Sequence, residues 1–209
     1  MKSQIGTHFL DFKLRELNHV VEWITNRGGQ GLILDLGCST GFTTRHLANR
    51  FGSSRVHGAD INLKSVNKCR CRYNDIRFHY VDRDFFTNNN CKFGTVLLSH
   101  VLEHVNRPVM LLNRVKTLLD DNGTLIVSVP QERIRGDSAI PENFYNLLRL
   151  KFENVHRAKY TIDRLNTVLS AAGLKSCGYQ YVHSLWENGN MEHLLNHSLI
   201  VYTQRRRSL

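Results

Sequence analysis

Apolar and polar positions along the chain follow two spacings, one typical of amphipathic helices and one typical of buried strands. Residues 8–26 carry apolar side chains three or four positions apart, which predicts a first helix. Residues 32–36 are apolar except for Asp35, as expected of a strand buried on both faces. The glycines within residues 37–41 then predict a turn, and residues 42–51 a second helix.

The same alternation continues towards the end of the sequence. It predicts helices at residues 62–73, 108–119 and 161–172, a turn at 120–123, and strands at 55–59, 76–81, 96–98, 124–129, 175–183 and 195–203. Strands that alternate with helices pair in parallel through right-handed crossovers. We therefore predict an α/β fold: a three-layer α-β-α sandwich around a doubly wound, mostly parallel, seven-stranded sheet with an antiparallel last strand.

The length and the one interruption of this rhythm predict the domain organisation. The chain has 209 residues, which fits a single domain spanning residues 1–209. Residues 1–30 form its N-terminal helical part. Residues 131–158 are polar and mixed, with a helix predicted around 143–150, and we expect this insertion to act as a lid over the substrate.

The composition indicates a cellular compartment and a class of binding partner. The net charge is +10, which favours an anionic partner such as nucleic acid, although the basic residues are scattered apart from the arginines at 205–207. Five cysteines, with no metal-knuckle spacing, indicate free thiols in a reducing cytoplasm and no metal site. No segment approaches the roughly 18 apolar residues of a membrane span.

The turn after the first strand carries the most informative chemistry. Gly37 and Gly41 allow positive φ angles and close approach of a ligand to the backbone. Phe42 follows Gly41 directly, so the third glycine of a dinucleotide-binding loop is absent, and no phosphate-binding Gly-Lys-Ser/Thr motif occurs. Asp60 ends the second strand about 20 residues later, the spacing of an acid that binds ribose hydroxyls. A helix cap is the alternative role for Asp60.

Two segments resemble one enzyme superfamily. Residues 33–42, Ile-Leu-Asp-Leu-Gly-Cys-Ser-Thr-Gly-Phe, look like the cofactor motif of class I, Rossmann-like S-adenosylmethionine-dependent methyltransferases. Residues 99–105, Ser-His-Val-Leu-Glu-His-Val, closely resemble the segment after the fourth strand in the small-molecule branch of methyltransferase 11/23 type. The resemblance covers residues 30–130 well and continues more loosely to residue 173.

The resemblance implies S-adenosylmethionine as cofactor, S-adenosylhomocysteine as product, and a set of residues that holds them. Gly37 and Gly41 would flank the methionine part, Asp60 the ribose, and Ser99 and His100 the methyl-bearing sulfur. The full implied set is Asp35, Gly37, Cys38, Ser39, Gly41, Asp60, Ile61, Asp82, Asp84, Phe85, Ser99 and His100, with Asp82 and Asp84 as rivals at the adenine edge. Two positions depart from the pattern: Ser39 stands where glycine is commonest, and Gly94 where the family usually has an acid.

A general base is needed only when the methyl acceptor is a hydroxyl or a protonated amine. The candidate bases are His100, His104, Glu132, His156 and Tyr160, among which we favour His156 and then His104. The alternative for the Glu103–His104 pair is a purely structural role in capping and packing. Trp186, between the last two strands, is a weaker candidate for contact with the acceptor.

These observations predict methyl transfer to the oxygen or nitrogen of a small-molecule or sugar-like acceptor by in-line displacement. One alternative is a methyltransferase acting on RNA or another polyanion, which the +10 charge favours. A second is a non-catalytic binding subunit that keeps the fold. A nicotinamide-dependent oxidoreductase fits the glycine pattern less well. The sequence leaves open whether the protein is a monomer or a homodimer.

Overall fold

The computed structural model describes residues 2–27, 30–88, 91–131, 159–183, 190–191 and 196–205, with side chains from residue 13 onward. Five α-helices occur in these ranges: α1 (Lys2–Asn26), α2 (Phe42–Phe51), α3 (Leu63–Arg72), α4 (Pro108–Leu118) and α5 (Ile162–Ala171). Two short 3-10 helices, Ser53–Arg55 and Leu102–His104, precede β2 and follow β4. Pro108 opens α4, where its missing N–H costs no helical hydrogen bond.

Seven strands form one sheet. They are β1 (Ile33–Leu36), β2 (Val56–Asp60), β3 (Arg77–Tyr80), β4 (Phe93–Ser99), β5 (Leu119–Pro130), β6 (Leu174–His183) and β7 (Asn196–Arg205). Their order across the sheet is β3-β2-β1-β4-β5-β7-β6. Strands β1 to β5 pair in parallel, whereas β7 runs antiparallel to both β5 and β6. The predicted fold class, including the antiparallel last strand, is confirmed.

Each face of the sheet is covered by its own helices, which gives the three layers. Val20, Leu47 and Val66, from α1, α2 and α3, belong to one apolar cluster. Leu112 and Leu165, from α4 and α5, belong to the other. Consecutive residues of the strands alternate between the two clusters. Because β1, β2 and β4 run in parallel, their carboxyl ends lie at the same edge of the sheet, between the helical layers, where loops can form a site.

The main difference from the sequence prediction lies in β5. The predicted turn at 120–123 is wrong, because these residues belong to β5 as an irregularity in its pairing with β4. Phe93 pairs with Leu119, and Thr95 pairs with Thr124, so three extra residues are accommodated on the β5 side. The side chain of Asp120 accepts a hydrogen bond from the Asn122 N–H at 3.1 Å, which stabilises the extra residues within the strand.

Some predictions lie outside the described residues. They are the helix at 143–150, the lid at 131–158 beyond its first residue, Trp186, and the end of the arginine run at 206–207. Among the described helices, none is both long enough and apolar enough to cross a membrane.

Candidate functional site

The loop between β1 and α2 adopts left-handed backbone conformations at three positions. The φ angles are 93° at Gly37, 48° at Ser39 and 75° at Gly41. A Cβ atom at Gly37 would lie 2.4 Å from Cγ2 of Val101, so no side chain fits there. Ser39 adopts its conformation despite the Cβ, which costs some backbone strain at the position where the sequence departs from glycine.

Backbone hydrogen bonds tie this loop to the end of β2. The N–H groups of Gly37 and Cys38 donate to the carbonyl of Ala59 at 2.7 and 3.0 Å. The thiol of the buried Cys69 on α3 donates to the Ser39 carbonyl at 3.3 Å. All five cysteines are free thiols, and burial raises the pKa of the Cys38 thiol above its usual range. The loop is therefore held from both sides before any ligand binds.

Asp35 lies within β1 directly beneath the loop. Its side chain is buried and accepts a hydrogen bond from the Thr44 hydroxyl at 2.6 Å. Burial raises the pKa of Asp35 to about 6, an effect that the Thr44 bond and the charge of Lys13 oppose. Lys13 of α1 lies close by, with its ammonium 5.5 Å from the centre of the Phe42 ring. The position predicted to orient the loop thus carries a carboxylate that bonds to the helix after the loop.

Asp60, at the end of β2, holds two backbone groups. Its Oδ2 accepts from the Ser39 N–H and its Oδ1 from the Asn62 N–H, both at 2.8 Å. The cap of α3 is Asn62, whose side chain accepts from the Ser65 N–H at 3.2 Å. Asn62, and not Asp60, therefore caps α3 with its side chain. Each Asp60 oxygen keeps a further lone pair for a ligand.

A large apolar side chain, that of Ile61, directly follows Asp60 and is exposed. Ile61 is 77% exposed, a high value for a large aliphatic side chain that follows a buried strand. Phe85 is buried near His79, with their ring centres 6.1 Å apart. Asp82 accepts a hydrogen bond from the Asp84 N–H at 3.1 Å. The Asp82 side chain therefore orders the turn that carries Asp84.

A second cluster lies at the end of β4, where α1 reaches the sheet. Glu16 of α1 is buried and its Oε2 lies 3.0 Å from Nε2 of His100. On the other side of the ring, Nδ1 of His100 lies 3.6 Å from Oε1 of the fully buried Glu103. His100 itself has a positive φ of 54°. The imidazole of His100 is thus flanked by two buried carboxyl groups from different parts of the chain.

Serine hydroxyls from neighbouring strands complete the surroundings of Glu16. Ser198 on β7 donates to Oε2 at 2.8 Å, and Ser99 on β4 donates to Oε1 at 3.2 Å. Ser128 on β5 pairs with Ser99 across the sheet. These groups satisfy a buried carboxylate that would otherwise be costly to bury.

The charges of this cluster reinforce each other. Burial raises the pKa of Glu16, but the His100 charge and the hydrogen bonds outweigh it and hold the pKa well below its usual range. Burial likewise lowers the pKa of His100, but Glu16 and Glu103 outweigh it and raise the pKa to about 10. His100 is therefore an imidazolium at neutral pH with both ring nitrogens turned towards carboxyl groups. It is poorly suited to act as a general base.

The other base candidates differ in accessibility. The side chain of His104 is 42% exposed, and its Nε2 lies 3.9 Å from Oε1 of Glu103. Tyr160 is buried, and burial raises the pKa of its hydroxyl. Glu132 and His156 lie outside the described residues. Within the described ranges, no group of three or more His, Cys, Asp or Glu side chains is arranged to hold a metal ion.

The structure brings most of the predicted residues to one edge of the sheet. The loop after β1 contacts the loop after β4 through Gly37 and Val101, and it is bonded to Asp60 at the end of β2. Sequence reasoning missed Lys13 and Glu16. The signal for Glu16 was present, because it lies four and eight positions before the buried Val20 and Ile24. A glutamate on the apolar stripe of a helix indicates a buried polar partner.

A family model described as a methyltransferase domain matches residues 12–176. Among curated proteins, a trans-aconitate 2-methyltransferase from Variovorax paradoxus is 28% identical over 101 residues, which cover 48% of this chain. The matched stretch spans only 39% of that relative's own length.

Solved structures of similar fold extend over nearly the whole chain. Magnesium protoporphyrin IX methyltransferase from Synechocystis, with bound S-adenosylhomocysteine, has a TM-score of 0.66 at 17% identity and covers 98% of this chain and 88% of its own. A 1,6-didemethyltoxoflavin-N1-methyltransferase from Burkholderia thailandensis has a TM-score of 0.62 at 16% identity, covering 91% and 78%. At these identities the likeness establishes the fold.

Proposed function

We propose that this chain, which belongs to the methyltransferase domain family, transfers the methyl group of S-adenosylmethionine to a small-molecule acceptor. Membership of the family makes the domain an S-adenosylmethionine-dependent methyltransferase domain. The assignment of individual residues and the class of acceptor are our proposals.

The described side chains fit this cofactor. The observation that carries the assignment is the Asp60 carboxylate, which is fixed by the Ser39 and Asn62 N–H groups and keeps lone pairs for ribose hydroxyls. The exposed Ile61 beside it would pack on the adenine ring, with Asp84 and the backbone of Phe85 at the ring's edge. Gly37 lets the loop after β1 pack closely against Val101 of the loop after β4, and the methionine part would lie along the loop after β1.

Ser99 and His100, at the end of β4, would line the methyl-bearing end. The cofactor supplies an already activated methyl group, so the protein chiefly has to align the acceptor and exclude water. Buried Glu16 and Glu103 fix the His100 ring as one wall of this space. Asp35, bonded to Thr44, would orient the loop that holds the amino-acid end of the cofactor.

A proton must leave the acceptor when the acceptor is a hydroxyl or an ammonium group. Among the described histidines near the site, His104 is the better candidate to receive it, because His100 already carries a proton. The side chain of His104 is partly exposed, and its Nε2 lies 3.9 Å from Oε1 of Glu103. Replacing His104 by Gln would then slow transfer to a hydroxyl acceptor while leaving cofactor binding intact.

The proposed acceptor is a small or sugar-like molecule. Support comes from residues 99–105 and from the similar proteins, which are named for trans-aconitate, magnesium protoporphyrin IX and 1,6-didemethyltoxoflavin. The net charge of +10 is the specific observation that favours the alternative, RNA or another polyanion. Labelled methyl from S-adenosylmethionine should appear in a small-molecule fraction of a cell extract. If the label appeared only in RNA, and if transfer fell steeply as salt was added, the result would contradict our proposal and support the alternative.

Asp60→Ala tests the cofactor assignment. Loss of charged hydrogen bonds to two ribose hydroxyls should weaken S-adenosylhomocysteine binding by roughly a hundredfold in calorimetric titration, with the fold kept. Glu22→Ala removes a carboxylate that is 68% exposed on α1 and serves as the control, with little change expected. If Asp60→Ala bound S-adenosylhomocysteine with unchanged affinity, the assignment of Asp60 to the ribose would be wrong. No binding of S-adenosylhomocysteine by the unaltered protein would favour a non-catalytic subunit.

A further inference from the structure

Two charged side chains of α1 reach the carboxyl edge of the sheet from the same face of the helix. Glu16 is bonded to Ser99 and His100 at the end of β4. Lys13, three positions earlier, is half-buried, and its ammonium lies 5.5 Å from the centre of the Phe42 ring at the start of α2. Because residues three apart are neighbours on a helix surface, one face of α1 spans from the loop after β1 to the end of β4.

The ammonium of Lys13 has no ion-pair partner among the described side chains. Its charge acts on Asp35: burial raises the pKa of that carboxyl group, and the Thr44 hydrogen bond and the charge of Lys13 oppose the increase. The Asp35 side chain, however, is buried within β1 and is bonded to the Thr44 hydroxyl. Solvent screens a half-buried ammonium less than one at the open surface, so Lys13 retains the capacity to bind an anion.

Opposite charges therefore flank the loop after β1. Asp35 lies two residues before Gly37, and Lys13 lies over Phe42, which directly follows Gly41. Under the proposed function, on which this inference rests, the methionine part of the cofactor lies along this loop. That part is a zwitterion, with an ammonium and a carboxylate on the same carbon atom. The charge of Asp35 attracts the ammonium, and the charge of Lys13 attracts the carboxylate.

We propose that Lys13 binds the carboxylate of the cofactor's methionine part and thereby makes α1 one wall of the cofactor site. The flexible four-carbon stem of a lysine lets the ammonium turn from the Phe42 ring to a ligand beside it. Asp60 at the end of β2 holds the ribose under the proposed function, so different elements hold the two ends of the cofactor. The alternative is that Lys13 only covers Phe42 through a cation–π contact. Its removal would then leave the contribution of the ligand's carboxylate to binding unchanged.

The test compares S-adenosylhomocysteine with its decarboxylated analogue, in which the amine and the thioether remain and a hydrogen replaces the carboxylate. Both ligands are titrated calorimetrically into the unaltered protein and into Lys13→Met, which keeps an apolar side chain over Phe42. The unaltered protein should prefer the ligand that carries the carboxylate. Lys13→Met should lower this preference by about tenfold, as expected for one ion pair near the protein surface. Lys13→Arg, which keeps the charge, should retain most of the preference.

Arg15→Met is the matched control. It also removes one cation from α1, but Arg15 is exposed, and the preference should not change. Equal weakening of both ligands in Lys13→Met would mean a structural role only and would overturn the proposal, as would an unchanged preference. If Lys13→Met does not fold, Lys13→Gln decides by the same criterion. Equal binding of the two ligands by the unaltered protein would overturn this inference alone, whereas failure to bind S-adenosylhomocysteine would count against the proposed function.

Discussion

Two buried histidine sites in this sheet behave in opposite ways. His57 on β2 is 1% exposed, and its Nδ1 lies 3.2 Å from Nε2 of His79 on β3. Burial, followed by the charges of His79 and Arg77, lowers the pKa of His57 to about 4. At His100 burial acts in the same direction, but Glu16 and Glu103 reverse it and raise the pKa to about 10.

Burial therefore keeps His57 neutral, whereas the neighbouring carboxyl groups outweigh burial at His100. His57 packs edge-on against Phe93, with ring centres 5.5 Å apart, and serves as a neutral part of the core. His100 is a cation held between carboxyl groups at the edge where the cofactor is proposed to bind. The same residue type therefore stabilises the scaffold in one region and carries charge in the other.

Glu16→Ala should have the largest effect on stability. It removes one side of a buried ion pair and leaves His100, Ser99 and Ser198 without their acceptor. Loss of one partner of a buried pair costs about 3–5 kcal/mol in the free energy of unfolding, measured by urea denaturation at pH 7. Glu22→Ala on the same helix should change it by no more than about 0.5 kcal/mol. Similar values for the two variants would mean that Glu16 is not a buried ion-pair partner.

The two histidines should also give opposite pH dependences of stability. In the unfolded chain both titrate near pH 6.5, whereas folded His57 resists protonation until about pH 4. Between these values the unfolded state binds more protons, so stability falls as the pH falls from 6.5 to 4. Folded His100 keeps its proton up to about pH 10, so its contribution is complete below pH 6.5 and is lost as the pH rises from 6.5 to 10.

Urea denaturation across this pH range separates the two contributions. Between pH 6.5 and pH 4, the free energy of unfolding of the unaltered protein should fall by about 2–3 kcal/mol more than that of His57→Leu. Relative to His100→Asn, whose side chain tolerates the left-handed backbone at this position, it should lose stability only above pH 6.5. Parallel curves for the unaltered protein and either variant would show that the histidine concerned does not have the shifted pKa assigned to it.

Local sequence patterns predicted most of the fold because they are set by neighbouring residues. The second helix was predicted at residues 42–51, and α2 spans Phe42–Phe51. The turn predicted at 120–123 failed for the opposite reason. Its turn-forming residues lie in a strand whose pairing starts at Phe93, and that contact across the sheet is not visible in the local sequence.

The same distinction between local and long-range contacts separates the site residues that the sequence predicted from those that it missed. Asp60 and the glycines of the first loop were predicted as site residues because their spacing along the chain is short and characteristic. Glu16 was missed because its partners Ser99 and Ser198 are 83 and 182 residues away. A charged cluster assembled from α1, β4 and β7 has no local signature except the unexpected acid on the apolar stripe of α1.

The smallest expected effect concerns the two serines that bond to Glu16. Ser198 donates at 2.8 Å from a fully buried position, whereas Ser99 donates at 3.2 Å from a half-buried one. A buried hydrogen bond to a charged group contributes about 1.5–3 kcal/mol, so Ser198→Ala should cost roughly 1.5 kcal/mol and Ser99→Ala less. Both variants should also lower the pKa at which the His100 ring loses its proton in an NMR titration, because a less stabilised Glu16 holds that proton less firmly. If Ser99→Ala were the more destabilising, the longer hydrogen bond would be the stronger one, and the charge cluster would depend on β4 more than on the contact between α1 and β7.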